Sequence, residues 1–315
     1  MEYRVLGSLE VLDDSGERLP LGGPRQQTVL GSLLLRAGHT VTLQRLVGEL
    51  WETPPETAAK TVQVYVSRLR RLLSDGAIES RSGGYALRLD GDLFDLEQFE
   101  LLAEEGRAAL TRADSEQAAV LLRKALALWR GPALDGLAAQ ALRQEAERFE
   151  ELRLHVLEDR LDADLGRGQD RDLIPELRTL VAEHPFRERL CAQLMLALYR
   201  TGRQTDALEV YRETRTRLAE ELGLEPSAEL RNLERRVLAH DPDLEPARSE
   251  LPPTVAPIAT PVRGEPTRGR RPATVVFADV VDSMTLGEFL DPESVHRILE
   301  RYSEIAREIL ERHEG

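Results

Sequence analysis

The residues best suited to a chemical role lie between Glu56 and Leu73, where Lys60, Arg68, Arg70 and Arg71 face a single acid, Glu56. The same stretch places Val62, Val66, Leu69 and Leu73 at steps of four, three and four, the spacing of one buried helix face. At about 3.6 residues per turn, the opposite face carries Lys60, Val64, Ser67 and Arg71, flanked by Thr61 and Arg68. Arginine and lysine pair with guanine edges or phosphates, serine and threonine bond to either, and valine meets a thymine methyl. A solvated basic face with no partner has the same periodicity, so the surrounding elements must decide between the two.

Other constellations are poorer in chemistry. The six histidines are scattered, with no pair at metal-ligand spacing, and the single Cys191 rules out a cysteine zinc site. Gly22-Gly23-Pro24 is followed by no Gly-Lys-Ser/Thr and reads as a turn. Trp51 and Trp129 occupy apolar helical positions and are expected in the core. Cys191, in CAQLMLALY, is expected to be a buried small hydrophobe. No cofactor is expected.

The chain of 315 residues carries a net charge of −14, which on its own argues against nucleic acid. The distribution is uneven. Residues 1–90 hold 11 basic and 11 acidic side chains, whereas 91–240 hold 22 against 30 and 241–315 hold 9 against 15. The first third therefore escapes the acidity of the rest, and the segment 56–73 is locally +3. No signal peptide is visible at the start, and runs such as VLGSLLL are far short of the about 20 residues that cross a bilayer. A cytoplasmic protein with no membrane contact is expected.

The elements needed to position the basic helix can be read in order. Residues 1–23 read as short strands around the turn DDSGE. From Pro24 the period becomes helical, with Val29, Leu30, Leu33 and Leu34 on one face and Gly38 after it. A short helix, 43–51, ends at Thr53-Pro54-Pro55, a third helix spans 56–73, and 77–89 reads as a hairpin bending near Gly83-Gly84. Strands, three helices and a terminal hairpin make a winged helix-turn-helix over 1–92, which favours the DNA-reading interpretation of helix 56–73.

Residues 95–240 are almost continuous helix. A small residue followed four later by a large one recurs at Ala118/Leu122 and Ala207/Tyr211, a degenerate tetratricopeptide-like signal, with a non-repetitive bundle as the alternative. Residues 241–272 contain eight prolines and read as a linker. Beyond it come a strand, 274–281, and a helix, 291–313. The expected fold class is mainly α: an α+β winged helix, an all-α tetratricopeptide-like domain and a C-terminal βα fragment over 273–315.

Three motifs in register, GGPRQQTVLGSLLLRAGHTVTLQRLVGELW, KTVQVYVSRLRRLL and SGGYAL, resemble the OmpR/PhoB-type winged helix of the Streptomyces antibiotic regulatory protein family. The segment HPFRERLCAQLMLALYRTGRQTDALEVYRETRTRLAEELGLEPS is similar to that family's bacterial transcriptional activator domain. The resemblance implies a transcriptional activator that binds repeats in double-stranded DNA near promoters and contacts RNA polymerase, with a homodimer on DNA as a further expectation. It places Thr61, Val64, Ser67 and Arg68 on base- or backbone-contacting positions in the major groove. It also brings Arg81 of the hairpin toward the minor groove and Arg25, at a helix start, toward a phosphate. No phosphoacceptor domain is expected ahead of the winged helix, which leaves the helical domain as the candidate for control.

RPATVVFADVVDSMTLGEFL resembles the opening of a class III nucleotide cyclase domain, which uses paired aspartates to hold two metal ions. By that resemblance Asp279 falls on the first metal position, while Asp282 stands where many members have glycine. The second metal aspartate of the pattern has no counterpart among residues 273–315. A nucleotide cyclase or sensor with an N-terminal regulatory region is therefore the rival reading, and a protein-interaction scaffold the third. The chain of 315 residues is expected to form no cyclic nucleotide from ATP or GTP with manganese. Turnover that Asp279→Ala abolishes would overturn this expectation.

Overall fold

Strand β1 (Glu2–Arg4) begins a three-stranded sheet, pairing antiparallel with β2 (Glu10–Leu12) and parallel with β6 (Leu93–Phe94). Tyr3 and Val11 face each other in that register, and both are fully buried. The computed structural model describes residues 1–137 and 139–244. The chain divides into a unit over Met1–Leu251 and another over Pro252–Gly315. The cyclase-like segment, with Asp279 and helix 291–313, lies outside the described residues, as does all of the proline-rich stretch beyond residue 244.

Helix α1 (Pro24–Leu34) starts at the proline, whose missing N–H costs nothing there, and buries Val29, Leu30, Leu33 and Leu34 as its periodicity requires. Helix α2 (Leu43–Leu50) is capped by Thr42, whose hydroxyl accepts the Arg45 N–H at 3.2 Å. Helix α3 spans Ala58–Leu72, two residues later than the sequence suggests. The Ala58 N–H is spent first on Pro55 O (2.9 Å), closing a turn through Glu56 and Thr57 before the helix begins. Trp51, expected in the core, is only half-buried.

The terminal hairpin is β4 (Ile78–Arg81) with β5 (Gly84–Leu87), and it gains a third strand, β3 (Val41–Thr42), in the order β3-β5-β4. Two-residue β3 carries no alternation of its own, so periodicity could not show it. Gly84 makes the pairing possible: a Cβ there would lie 2.0 Å from Val41 O.

The rest is helical: α4 (Asp95–Thr111), α5 (Ser115–Ala127), α6 (Gln140–Gly166), α7 (Asp170–Glu183), α8 (Glu188–Arg200), α9 (Gln204–Arg217) and α10 (Ala228–Leu238). A π-helical turn, Leu218–Leu222, continues α9. Neighbouring helices pack in pairs through small residues. Ala118 and Ala207 are fully buried, and a Cβ at Gly106 would come within 2.6 Å of Leu122. Asp241–Leu244, read from sequence as linker, stays on this body: Leu244 is buried and its carbonyl accepts Arg200 Nε at 2.7 Å.

Two features join the winged helix to the helical body. Helix α6, with 27 residues and therefore about 40 Å long, contributes Phe149 and Val156 to the core that holds the winged-helix residues. It contributes Leu161 and Leu165 to a second core among α7–α10. At the other joint, the buried Asp95 carboxylate at the start of α4 accepts the N–H groups of Val5 (2.9 Å) and Leu6 (3.0 Å). Arg130 Nη2 stands 3.5 Å from the same carboxylate, and the Arg130 N–H donates to Leu6 O at 2.8 Å. Burial raises the Asp95 pKa above the usual carboxylate value, and the two N–H groups and Arg130 pull against that. Asp95→Ala leaves both buried N–H groups without an acceptor and should cost about 2–4 kcal/mol in urea unfolding. A loss under about 1 kcal/mol at unchanged m would show that this joint carries little of the stability.

Candidate DNA-binding interface

Helix α3 is laid against α1 and α2 by Ala58, Val62, Val66 and Leu69, all buried. That fixes what the other side shows to solvent. Lys60, Val64, Ser67, Arg68 and Arg71 are exposed, and Thr61 is half-buried with its hydroxyl donating to Thr57 O at 3.0 Å. Val64, 42% exposed, is a large apolar side chain left in water in the middle of this polar face. Lys60, Arg68 and Arg71 have no ion-pair or hydrogen-bond partner among the described residues. The helix thus brings together the six residues that sequence spacing placed on one face, with three cations available to an outside ligand.

Arg25 and Arg81 stand differently. Arg25, exposed in the first turn of α1, lies with its guanidinium 5.3 Å from the centre of the Trp51 ring. Arg81, at the end of β4, gives Nε and Nη2 to the Glu79 carboxylate (3.2 and 3.0 Å) and Nη1 to Gly38 O (2.8 Å). Arg88 Nη1 bonds the same carboxylate at 2.9 Å, and the two guanidinium groups hold Glu79 below the usual carboxylate pKa.

Arg70 is the residue of the candidate site whose contacts spacing missed. It counts toward the basic segment, yet its Nε donates to Ile78 O (2.9 Å), its Nη2 to Ser80 Oγ (2.8 Å), and its guanidinium lies 5.7 Å from the Tyr85 ring centre. It fastens the last turn of α3 to the hairpin. The usable signal was its place beside Leu69, with a strand only a few residues ahead that must fold back over that turn.

A helix held by its apolar face, presenting cations beside a three-stranded wing, defines a DNA-binding regulator of the winged helix-turn-helix class. The match to known proteins is specific. Residues 16–87 match the family model "Transcriptional regulatory protein, C terminal", and residues 94–238 match "Bacterial transcriptional activator domain". Over 266 residues the chain is 40% identical to the regulatory protein DnrI of Streptomyces peucetius, an alignment that covers 80% of this chain and 97% of DnrI. It is 44% identical to the regulatory protein AfsR of Streptomyces coelicolor over 82% of this chain but only 26% of AfsR, so it spans about a quarter of that relative. Among solved structures, Mycobacterium tuberculosis EmbR in complex with a low affinity phosphopeptide matches at a TM-score of 0.73 and 35% identity, over 76% of this chain and 65% of EmbR. The chain belongs to the Streptomyces antibiotic regulatory protein family of transcriptional regulators. Among the described residues no helix is long and apolar enough to cross a membrane.

The contacts of Arg70 lead to a prediction that separates positioning from phosphate binding. Arg70→Ala should lower affinity for a selected binding site while leaving the slope of log K against log salt unchanged. A slope shallower by about one would mean that Arg70 neutralises a phosphate itself.

Proposed function

We propose that α3 enters the major groove of double-stranded DNA, with Lys60, Arg68 and Arg71 meeting phosphates or guanine edges. Thr61, Val64 and Ser67 read neighbouring base edges. The observation that carries this reading is the exposed α3 face, where three cations with no partner among the described residues lie on the same face as an exposed valine. The β4–β5 hairpin lies along the adjacent minor groove, with Arg81 near that groove but its guanidinium held by Glu79 and Gly38 O, and Arg25 flanks the contact at the start of α1. In this reading the chain acts in the cytoplasm, by binding rather than by catalysis.

The helical body has the opposite charge character. Residues 91–240 carry 30 acidic against 22 basic side chains, so most of that surface is repelled by phosphate. We assign it to protein partners: RNA polymerase beside the promoter and a second copy of this chain on a repeated site. Division of labour between 1–92 and 95–240 follows from this contrast in charge. The shared core and the Asp95 joint support transmission of an orientation from one part to the other.

Binding sites selected from a random duplex pool provide the test. Arg71→Ala should make the salt slope shallower by about one unit for every duplex. Ser67→Ala should instead change preference at one base pair, by about 1–3 kcal/mol. If both variants bind with unchanged slope and preference at equal fold stability, α3 is not the reading element.

A further inference from the structure

The wing carries its positive charge in a form unlike that of α3. Glu79 and Arg81 share one face of β4, since alternate residues of a strand point the same way. Glu79 pairs across the ladder with Ala86, which sets Arg88 diagonally opposite. One carboxylate therefore meets both wing arginines: Oε2 accepts Arg81 Nε and Nη2 (3.2 and 3.0 Å), and Oε1 accepts Arg88 Nη1 (2.9 Å). Arg81 Nη1 is taken by Gly38 O at 2.8 Å, and Arg88 Nη2 pairs with Asp90. These four side chains sum to zero charge. On α3, by contrast, Lys60, Arg68 and Arg71 have no such partner among the described residues.

We propose that Glu79 is a specificity-determining residue: it withholds Arg81 from the phosphates of any duplex, so that discrimination is left to the base-reading face of α3. The inference rests on α3 being the DNA-reading helix. Its physical basis is that each phosphate contact adds affinity without regard to sequence, and raises specific and non-specific binding together. Neutralising Arg81 within the protein removes one such contact from the non-specific total. Arg81 is held at three points, two on Glu79 and one on Gly38 O, and removing the Glu79 charge weakens two of the three at once.

The test uses the whole chain with two labelled probes, sheared mixed-sequence duplex DNA and a site selected from a random pool, each titrated over a salt series. Glu79→Gln keeps the shape of the side chain and removes its charge. It should tighten binding to the mixed-sequence duplex by roughly three- to ten-fold at low salt and steepen the log K against log salt slope by about one. The ratio of selected-site to mixed-sequence affinity should fall. In the double variant Glu79→Gln/Arg81→Ala the slope should return to that of the unaltered chain. An unchanged slope in Glu79→Gln, or a steeper slope that survives Arg81→Ala, would overturn the proposal; the second outcome would assign the gain to removal of a distant negative charge. These results leave the α3 reading standing as long as the unaltered chain binds the selected site. If the unaltered chain binds neither probe, the α3 reading fails and takes this inference with it.

Discussion

A buried carboxylate that cannot go unsatisfied holds the two halves of this protein together. Asp95 opens α4, yet its oxygens are spent on the backbone N–H groups of Val5 and Leu6, about ninety residues earlier in the chain. A desolvated carboxylate must find donors, and two backbone N–H groups just past the end of β1 must find an acceptor. Each requirement is met by the other. Arg130 adds its guanidinium to the same carboxylate, to Glu10 (2.7 Å) and to Ser8 O (3.4 Å), bringing the chain after α5 against the N-terminal sheet. Helix α3 is therefore carried on a support that extends into the helical body rather than on a tethered module.

Helix α6 extends that support. It is long enough to serve two cores, and its buried charges are matched by arginines from neighbouring helices, from α6 itself and from its C-terminal end. Asp159 takes Arg107 at 2.9 Å and Arg189 at 2.6 Å, while Asp164 takes Arg123, Arg160 and Arg167. Pairs of this kind add little net stability after desolvation, but breaking one strands a buried charge, which favours a single arrangement of the helices. A partner that gripped the α7–α10 end would act on a body mechanically continuous with the winged helix.

At the candidate interface, the same residue type plays three roles. Arg68 and Arg71 point to solvent without partners among the described residues, Arg70 holds the wing, and Arg81 is occupied by Glu79. Net charge counts them alike. Only the first kind offers an uncompensated charge to a polyanion, so the effective field of the winged helix is narrower than its eleven basic residues suggest.

The sequence by itself determined which face of α3 is buried and which is exposed, because a 3.6-residue period leaves no other way to bury Val62, Val66 and Leu69 together. It also determined the order of strands, helices and hairpin, and the small-residue contacts at Ala118 and Ala207, since these are set by local period and by turn residues. The start of α3 at Ala58 was not legible, because a turn closed by Pro55 competes for the first N–H. Nor was strand β3, which exists only because Gly84 lets Val41 approach. The half-burial of Trp51, the hold of Asp95 on Val5 and Leu6, and the fates of Arg70 and Arg81 were decided by tertiary structure alone. Each depends on which atom lies a few ångströms away across the fold, and a residue's type and period record its own preferences but not its distant neighbours.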